Sequence, residues 1–335
     1  MSKVTTAIVS LLSVACVCAF ARWVVARLAG NGSVSALLLF LVAVLTVTGM
    51  DSRRGRRRSR WFLRYATAAL LLSPALLWAS FGTAFRGVGT TFSTGGITLN
   101  TPLDVIVDNQ GNVYIADTDD NQIVEVTSAG VASVVAFPGL SPALHNPNAV
   151  ALDASGNLYV ADSNNSRVVE LSAGGVASVI ATGGLLSYPD GLVVDTAGDL
   201  FIADGANNDI VEVPAGEAAA VLTVTGVGTL AGPQGLAFDV SGNLYIADGG
   251  NDRIVVVAPG GAGSVLSITG GITLNTPLGV AVDGLGNVYI ADRQNNRIVT
   301  VTPGGVGNVL QTGSVTLLAP TGVAGGVSGA VYIAD

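Results

Sequence analysis

The chain has 335 residues, of which half are apolar and only 11% are charged. Soluble domains carry about 25% charged residues, so this composition indicates a lipid-facing region, an unusually well-buried sheet, or both. The 44 glycines follow no three-residue period, which excludes collagen and indicates many tight turns. Residues 1–86 carry a formal charge of +10 and residues 87–335 one of −18, so two electrostatically different regions are predicted.

Residues 1–80 are predicted to form a transmembrane region. Uncharged stretches lie at about residues 4–21, 30–50 and 65–81, and about 20 apolar residues are needed to cross a bilayer as a helix. The loop between the second and third stretches, residues 51–64, contains seven arginines and is predicted to face the cytoplasm. The remainder of the chain, residues 81–335, is then predicted to lie outside the cytoplasm.

The first apolar stretch is open to two interpretations. A basic start, an apolar centre and the sequence Ala-Phe-Ala at residues 19–21 fit a cleavable signal peptide. Arg22 and Arg27, which follow directly, favour an uncleaved span. The two interpretations give the same orientation for the arginine-rich loop and for the C-terminal domain.

The C-terminal domain is dominated by a repeat. Six copies of Tyr-Ile-Ala-Asp or a close variant, spaced by 42 to 45 residues, end at Asp117, Asp162, Asp204, Asp248, Asp292 and Asp335. Each unit contains short runs rich in Val and Ile that are bounded by Gly, Asn, Asp and Pro, a pattern that predicts four strands. Four-stranded units of this length are typical of β-propeller blades, so an all-β propeller is predicted.

The sequence GVAVDGLGNVYIADRQNNRIVTV, Gly279 to Val301, resembles an NHL repeat, and the pattern recurs in four other units. The resemblance covers about residues 82–335 and implies a six-bladed propeller. Members of this family serve as extracellular sensors, RNA-binding domains, protein-binding modules and, in a few cases, lyases. The resemblance is specific for the fold, whereas the function has to be argued from the site.

Closure of the ring is predicted from the two ends of the domain. Five units are complete and the sixth stops halfway, at Asp335. Residues 82–95 align without a gap with residues 300–313, and residues 94–103 are identical to residues 269–278. N-terminal strands are therefore predicted to supply the outer half of the sixth blade. A truncated reading frame is the alternative.

Two aspartate positions recur in the repeat, although the sixth unit has Gly326 at the first of them. Those before the Gly-Asn turns, such as Asp108, are predicted to accept the backbone N–H two residues on. Those that end the Tyr-Ile-Ala-Asp strand are predicted to be structural caps, because a metal site would need several carboxylates to converge. Three arginines five residues further on, Arg167, Arg253 and Arg297, are predicted to form ion pairs between blades rather than to bind an anion.

The candidate ligand site lies at the mouth of the central channel. Each unit has a proline that leads into its innermost strand, so the residues after these prolines are predicted to rim the channel. The polar ones are the candidate ligand-binding residues: Asp104, Asn148, Asp190 and Gln234. A solvated loop surface is the alternative for each. Asp104 and Asp190 would be the pair to test for carboxylate catalysis, although their blades are not adjacent.

The side-chain inventory predicts that the protein is not an enzyme. His145 is the only histidine, at a loop position that holds Asn100 and Asn275 in other units, and no cysteine lies beyond residue 18. Propeller lyases that are similar to this family rely on several histidines, often with a metal. No catalytic residue, metal site or cofactor is therefore predicted.

The sequence thus favours a multi-pass cell-membrane protein with an extracytoplasmic propeller that acts as a non-enzymatic sensor or scaffold. Its expected partners are the lipid bilayer and an unidentified protein, peptide or glycan ligand outside the cytoplasm. An extracytoplasmic lyase or hydrolase acting at the channel mouth is the alternative. Nucleic acid is not expected to bind, because a domain with a charge of −18 repels phosphates.

Overall fold

The computed structural model describes residues 89–326 and 329–335, whose regular secondary structure is almost entirely antiparallel β-sheet. The three predicted membrane spans, the arginine-rich loop at 51–64 and the domain boundary at residues 80 and 81 lie outside the described residues. Within residues 89–326 and 329–335, no helix has the length and hydropathy needed to cross a membrane.

Five four-stranded sheets follow one another along the chain, each with its strands in sequential order, as the repeat predicts. The strands are β1 (Pro102–Val107), β2 (Val113–Asp117), β3 (Gln122–Val126) and β4 (Ala132–Val134) in blade 1; β5 (Pro147–Leu152), β6 (Leu158–Asp162), β7 (Arg167–Leu171) and β8 (Ala177–Val179) in blade 2; β9 (Pro189–Val194), β10 (Leu200–Asp204), β11 (Asp209–Val213) and β12 (Ala220–Val221) in blade 3; β13 (Pro233–Phe238), β14 (Leu244–Asp248), β15 (Arg253–Val257) and β16 (Gly263–Val265) in blade 4; and β17 (Pro277–Val282), β18 (Val288–Asp292), β19 (Arg297–Val301) and β20 (Gly307–Val309) in blade 5. Single 3-10 turns follow β6, β14 and β18, at Ser163–Asn165, Gly249–Asn251 and Arg293–Asn295.

A sixth sheet, formed by β21 (Val323–Gly325) and β22 (Val331–Ile333), has two strands. It packs between blades 5 and 1, because Val323 shares a core cluster with Tyr289 and Ala324 shares one with Val105. The first strands of the five blades and β21 therefore surround a central channel.

The described residues form five four-stranded blades and one two-stranded sheet, so the predicted six-bladed ring with N-terminal strands is shown only as a β-propeller of five complete blades. Residues 89–101 contain no strand. In this segment the backbone has positive φ at Gly95 and Gly96, of 62° and 96°, and at Thr101, of 55°. The segment reaches blade 5 through the N–H of Gly89, which donates to the carbonyl oxygen of Thr312 at 3.2 Å.

The hydrophobic cores lie between neighbouring blades. The second and third residues of each third strand, such as Ile298 and Val299, are at most 1% exposed. Burial of a Val or Ile side chain contributes roughly 1.5–3 kcal/mol, so these repeated pairs are a major source of stability. Because each blade is covered on both faces, its central strands are continuous apolar runs rather than alternating ones.

Candidate functional site

The channel mouth is built by the start of the first strands. The residue before the proline has positive φ in several blades, as at Thr101 (55°), Asn146 (50°) and Thr276 (51°). A register shift between Pro102 and Asp104 then separates the proline from the regular pairing of β1 with β2. This local geometry brings the residues after the proline to the channel, which has a volume of about 280 Å³.

The structure brings the four candidate residues together around this one cavity: Asp104, Asn148, Asp190 and Gln234. At the corresponding place blade 5 supplies the apolar Leu278, and the loop before the sixth sheet supplies Thr321. The carboxyl and amide side chains of the channel mouth therefore all come from blades 1 to 4. Further along the channel the lining is apolar and includes Ile106, Val194 and Phe238. The role of the four residues in ligand binding stays a prediction.

Asp104 extends from blade 1 to blade 2, where its Oδ2 accepts the backbone N–H of Val150 at 3.0 Å. Burial raises the pKa of Asp104 to about 7, while hydrogen bonds from the N–H groups of Val150 and Val105 act in the opposite direction. Gly322 makes room for this side chain, since a Cβ at that position would lie 2.9 Å from Oδ1 of Asp104.

Asp190 is held by Asn148, whose Nδ2 donates to its Oδ1 at 2.8 Å. Burial raises the pKa of Asp190 to about 6, the Asn148 hydrogen bond lowers it, and the carboxylate of Asp204 raises it. The other carboxylate oxygen of Asp190 lies against Gly205, where a Cβ would clash with it. Both channel carboxylates thus depend on hydrogen bonds from blade 2.

Asn148 is only 6% exposed, and its Oδ1 has no hydrogen-bond partner among the described residues. A buried acceptor without a donor costs about 1–3 kcal/mol. A ligand that supplies a donor at this point would recover that free energy. The described residues that line the channel include no Lys or Arg, so the mouth favours cationic or hydroxyl-rich ligands.

The aspartates that end the second strands are buried structural groups. Asp292 accepts hydrogen bonds from Asn275 N at 2.7 Å, Asn295 Nδ2 at 2.9 Å and Arg297 Nε at 2.7 Å. The prediction of ion pairs between blades is wrong, because Asp292 and Arg297 face each other on adjacent strands of one sheet. The same pairing within a blade occurs at Asp162 with Arg167 and at Asp248 with Arg253.

The turn aspartates and the histidine lie outside the channel. Asp108 Oδ1 accepts the N–H of Gln110 at 2.8 Å, which confirms the predicted turn. His145 is exposed, and its backbone N–H donates to Asp162 as that of Asn275 does to Asp292. In residues 89–326 and 329–335, no group of three or more His, Cys, Asp or Glu side chains could hold a metal ion.

Three segments match the NHL repeat family, at residues 144–171, 230–257 and 274–300. No curated protein matches the sequence. A structure of streptogramin B lyase is 16% identical, covers 71% of this chain and 92% of its own, and has a TM-score of 0.55. A catalytically inactive virginiamycin B lyase from Staphylococcus aureus, with quinupristin, is 13% identical. It covers 70% of this chain and 84% of its own, with a TM-score of 0.54. A gluconolactonase from Xanthomonas campestris is 15% identical. It covers 70% of this chain and 83% of its own, with a TM-score of 0.56.

These similarities establish an NHL-repeat β-propeller, and at such identities they establish the fold alone. They also correct the prediction that the protein is not an enzyme, because the fold is shared with lyases and a gluconolactonase. That prediction rested on the scarcity of imidazoles and thiols and on carboxylates that occur once per blade, with Asp104 and Asp190 named only as the pair to test. Such an inventory does not show that burial in one channel raises the pKa values of these two carboxyl groups toward neutrality.

Proposed function

We propose that the propeller is an acid–base enzyme, a lyase or a hydrolase, that acts on a small polar substrate at the channel mouth. The observation that supports this proposal is the placement of Asp104 and Asp190 in one cavity. Each carboxylate accepts a hydrogen bond from blade 2, through Val150 N–H and Asn148 Nδ2 respectively.

The two carboxyl groups suit opposite roles at neutral pH. With a pKa of about 6, Asp190 is largely ionised at pH 7 and serves as the base; with a pKa of about 7, Asp104 keeps its proton in about half of the molecules and serves as the acid. In a lyase, Asp190 abstracts a proton from carbon and Asp104 protonates the leaving group. In a hydrolase, Asp190 activates a water molecule. Asn148 orients Asp190, and its free Oδ1 receives a hydroxyl or ammonium group of the substrate.

Family members use metals in some cases, but the described residues supply no cluster of metal ligands. The proposed proton transfers therefore rest on the two carboxyl groups of this chain. The apolar lining beyond the mouth, at Ile106 and Phe238, would limit access of water from the far side of the channel.

The experiment compares turnover of gluconolactone, chosen from the similarity to a gluconolactonase, and of quinupristin, the compound present in one similar lyase structure. The full chain and its Asp104→Asn, Asp190→Asn and double variants are assayed between pH 5 and 8, with exposed Glu217→Gln as the matched control. We expect a rate profile with limbs near pH 6 and 7 and a loss of at least about 100-fold in the double variant. His145→Ala should keep the activity. Turnover that survives the double substitution would refute the proposal.

For the cellular setting, we propose from the sequence that three spans anchor the chain in the cell membrane with the propeller outside the cytoplasm. The arginine-rich loop at 51–64 supports this orientation. Peptides and glycans outside the cytoplasm are then the accessible ligands. A reporter fused after Asp335 that is active only in the cytoplasm would contradict the orientation.

The six-bladed closure is also retained as a proposal, in which N-terminal residues take the outermost place of the sixth sheet. The hydrogen bond from Gly89 N to Thr312 O supports it, because it repeats those from Gly307 N to Thr269 O at 3.1 Å and from Gly263 N to Thr225 O at 2.8 Å. Removal of residues 80–95 should lower the melting temperature of the propeller, whereas an unchanged melting temperature would rule closure out.

A further inference from the structure

Asp104 occupies a place in the ring that most other blades leave to glycine. The residue two positions after the proline is Ala149 in blade 2 and Gly191, Gly235 and Gly279 in blades 3 to 5. The first strands approach closely here, because a Cβ at Gly235 would lie 2.6 Å from the carbonyl oxygen of Leu278 in the next blade. In blade 1 the side chain of Asp104 enters this space and accepts the N–H of Val150 in blade 2 at 3.0 Å. A carboxylate therefore lies where blades 2 to 5 have a methyl group or no side chain.

The polar side chains of the channel mouth offer more hydrogen-bond acceptors than donors. Asn148 Nδ2 donates to Oδ1 of Asp190 at 2.8 Å, which fixes the orientation of the amide while that carboxylate is ionised. Asn148 Oδ1 is then left without a partner among the described residues, in a residue that is only 6% exposed. The hydroxyl of Thr321 donates to the carbonyl oxygen of Pro102 at 3.2 Å, so it is not a free donor. A ligand that fits this mouth therefore has to bring donors.

The mouth also carries negative charge that no basic residue of its lining offsets. Of the described residues that line the cavity, Asp104 and Asp190 are the only ones that ionise, and both are half-buried. The carboxylate of Asp204, at the end of β10, adds to the negative field at Asp190. A hydroxyl group brings no charge and a single donor, whereas a primary ammonium group brings one positive charge and three N–H donors. The ammonium group therefore matches both properties of the mouth.

We propose that the substrate carries a protonated primary amine, which binds at the channel mouth on the side of blades 1 to 3. Its N–H groups donate to Asn148 Oδ1, and its charge offsets those of Asp104 and Asp190. This assignment rests on the acid–base function proposed above, because it specifies the substrate on which the same two carboxyl groups act. The bound cation lowers the pKa of both groups, so an amine substrate should be turned over at lower pH than an uncharged one.

Three probes with the same propyl chain separate charge from hydrogen bonding: propylamine, 1-propanol and the propyltrimethylammonium ion. Each is titrated into the full chain at pH 8 by isothermal titration calorimetry. We expect saturable binding of propylamine that is at least about 10-fold tighter than that of either other probe, because 1-propanol lacks the charge and the quaternary ion lacks N–H donors. Equal affinity for either of these two probes, or no saturable binding of propylamine, would overturn the proposal.

Variants of the full chain locate the bound amine. Asp104→Asn, Asp190→Asn and Asn148→Leu each remove one proposed partner at nearly constant side-chain volume, and each should weaken propylamine binding about 10-fold. Glu217→Gln removes an exposed carboxylate outside the channel and should leave the affinity unchanged. Melting temperatures show whether each variant is folded, and the comparison of probes on the unaltered chain stays decisive if one is not. Unchanged affinity in the folded channel variants would overturn the assigned site.

The pH dependence of binding gives a second test. Burial raises the pKa of Asp190 to about 6 and that of Asp104 to about 7, whereas an alkylamine stays protonated below its pKa of about 10. Propylamine affinity should therefore increase at least about 10-fold from pH 5 to pH 8 as the carboxylates ionise, and an affinity that does not change with pH would overturn the proposal.

Calorimetry detects binding without turnover, so failure of the amine site and failure of the proposed enzyme can be told apart. Turnover of gluconolactone without binding of propylamine would overturn the substrate class and leave the acid–base function standing. Binding of propylamine that meets the three criteria above, without turnover of gluconolactone or quinupristin, would support the amine site and count against the proposed enzyme alone.

Discussion

The buried aspartates of this propeller fall into two regions that differ in their hydrogen-bond donors. At the strand ends, Asp292 receives a backbone N–H, an amide and a guanidinium. In the channel, Asp104 is held by backbone N–H groups alone, and burial raises its pKa to about 7. A buried carboxylate with enough donors stabilises the fold, whereas one with few donors is costly when ionised and is suited to proton transfer.

Asp292→Ala is the substitution with the largest expected effect. It leaves the N–H of Asn275 and the Nε–H of Arg297 without their acceptor, so the free energy of unfolding should fall by about 3–5 kcal/mol. Urea denaturation measures this loss. Glu217→Ala, at an exposed position, is the control and should change stability by less than about 0.5 kcal/mol. A loss of similar size in the control would remove the basis of the comparison.

Asp104→Asn should increase the free energy of unfolding at high pH rather than decrease it. Because the folded-state pKa is raised from the ordinary 3.8 to about 7, the native state binds the extra proton, and the wild-type chain loses stability as pH rises from about 4 to 7. At pH 8 the asparagine variant should be more stable by on the order of 3 kcal/mol, and at pH 3 the two should be nearly equal. Urea denaturation at both pH values checks this; a variant that is less stable at pH 8 would contradict it.

Asn148→Ala tests the link between blades 2 and 3. Without the hydrogen bond from Nδ2, the pKa of Asp190 should rise above about 6, because that bond favours the ionised form. Carboxyl carbon NMR of the full chain as a function of pH measures the change. Gln234→Ala, in the same cavity but without a hydrogen bond to Asp190, is the control that should leave the titration unchanged. An unchanged Asp190 titration in Asn148→Ala would show that the amide does not tune this carboxylate.

Asp335→Asn should have the smallest effect. The position matches Asp292 in the repeat but is exposed and lacks an arginine partner among the described residues. An asparagine oxygen can still accept an N–H from Leu318 or Ala319, so the expected loss is about 0.5–1 kcal/mol by thermal denaturation. A loss as large as that of Asp292→Ala would mean that the guanidinium contributes little in blade 5.

Sequence reasoning located the channel residues because each follows a proline at a fixed place in the repeat. It placed Gly322 at the rim of the channel but did not identify Gly205, whose missing side chain makes room for Asp190. The available signal was weak: Gly205 replaces the hydroxyl residues Thr118 and Ser163 found at that place in blades 1 and 2. The approach of Asp190 to Gly205 depends on how two strands of blade 3 pack at the channel, so one sequence without the fold does not show it.

The sequence by itself determined the repeat, the strands of five blades and the turn role of Asp108, because these depend on residues within one unit. Only the tertiary structure decided that Arg297 pairs within its own blade and that the sixth sheet has two strands in the described chain. It alone also decided that the pKa values of Asp104 and Asp190 are raised. Ion-pair partners and burial depend on which blades pack together, and the electrostatic cost of a buried carboxylate arises only when that packing removes water.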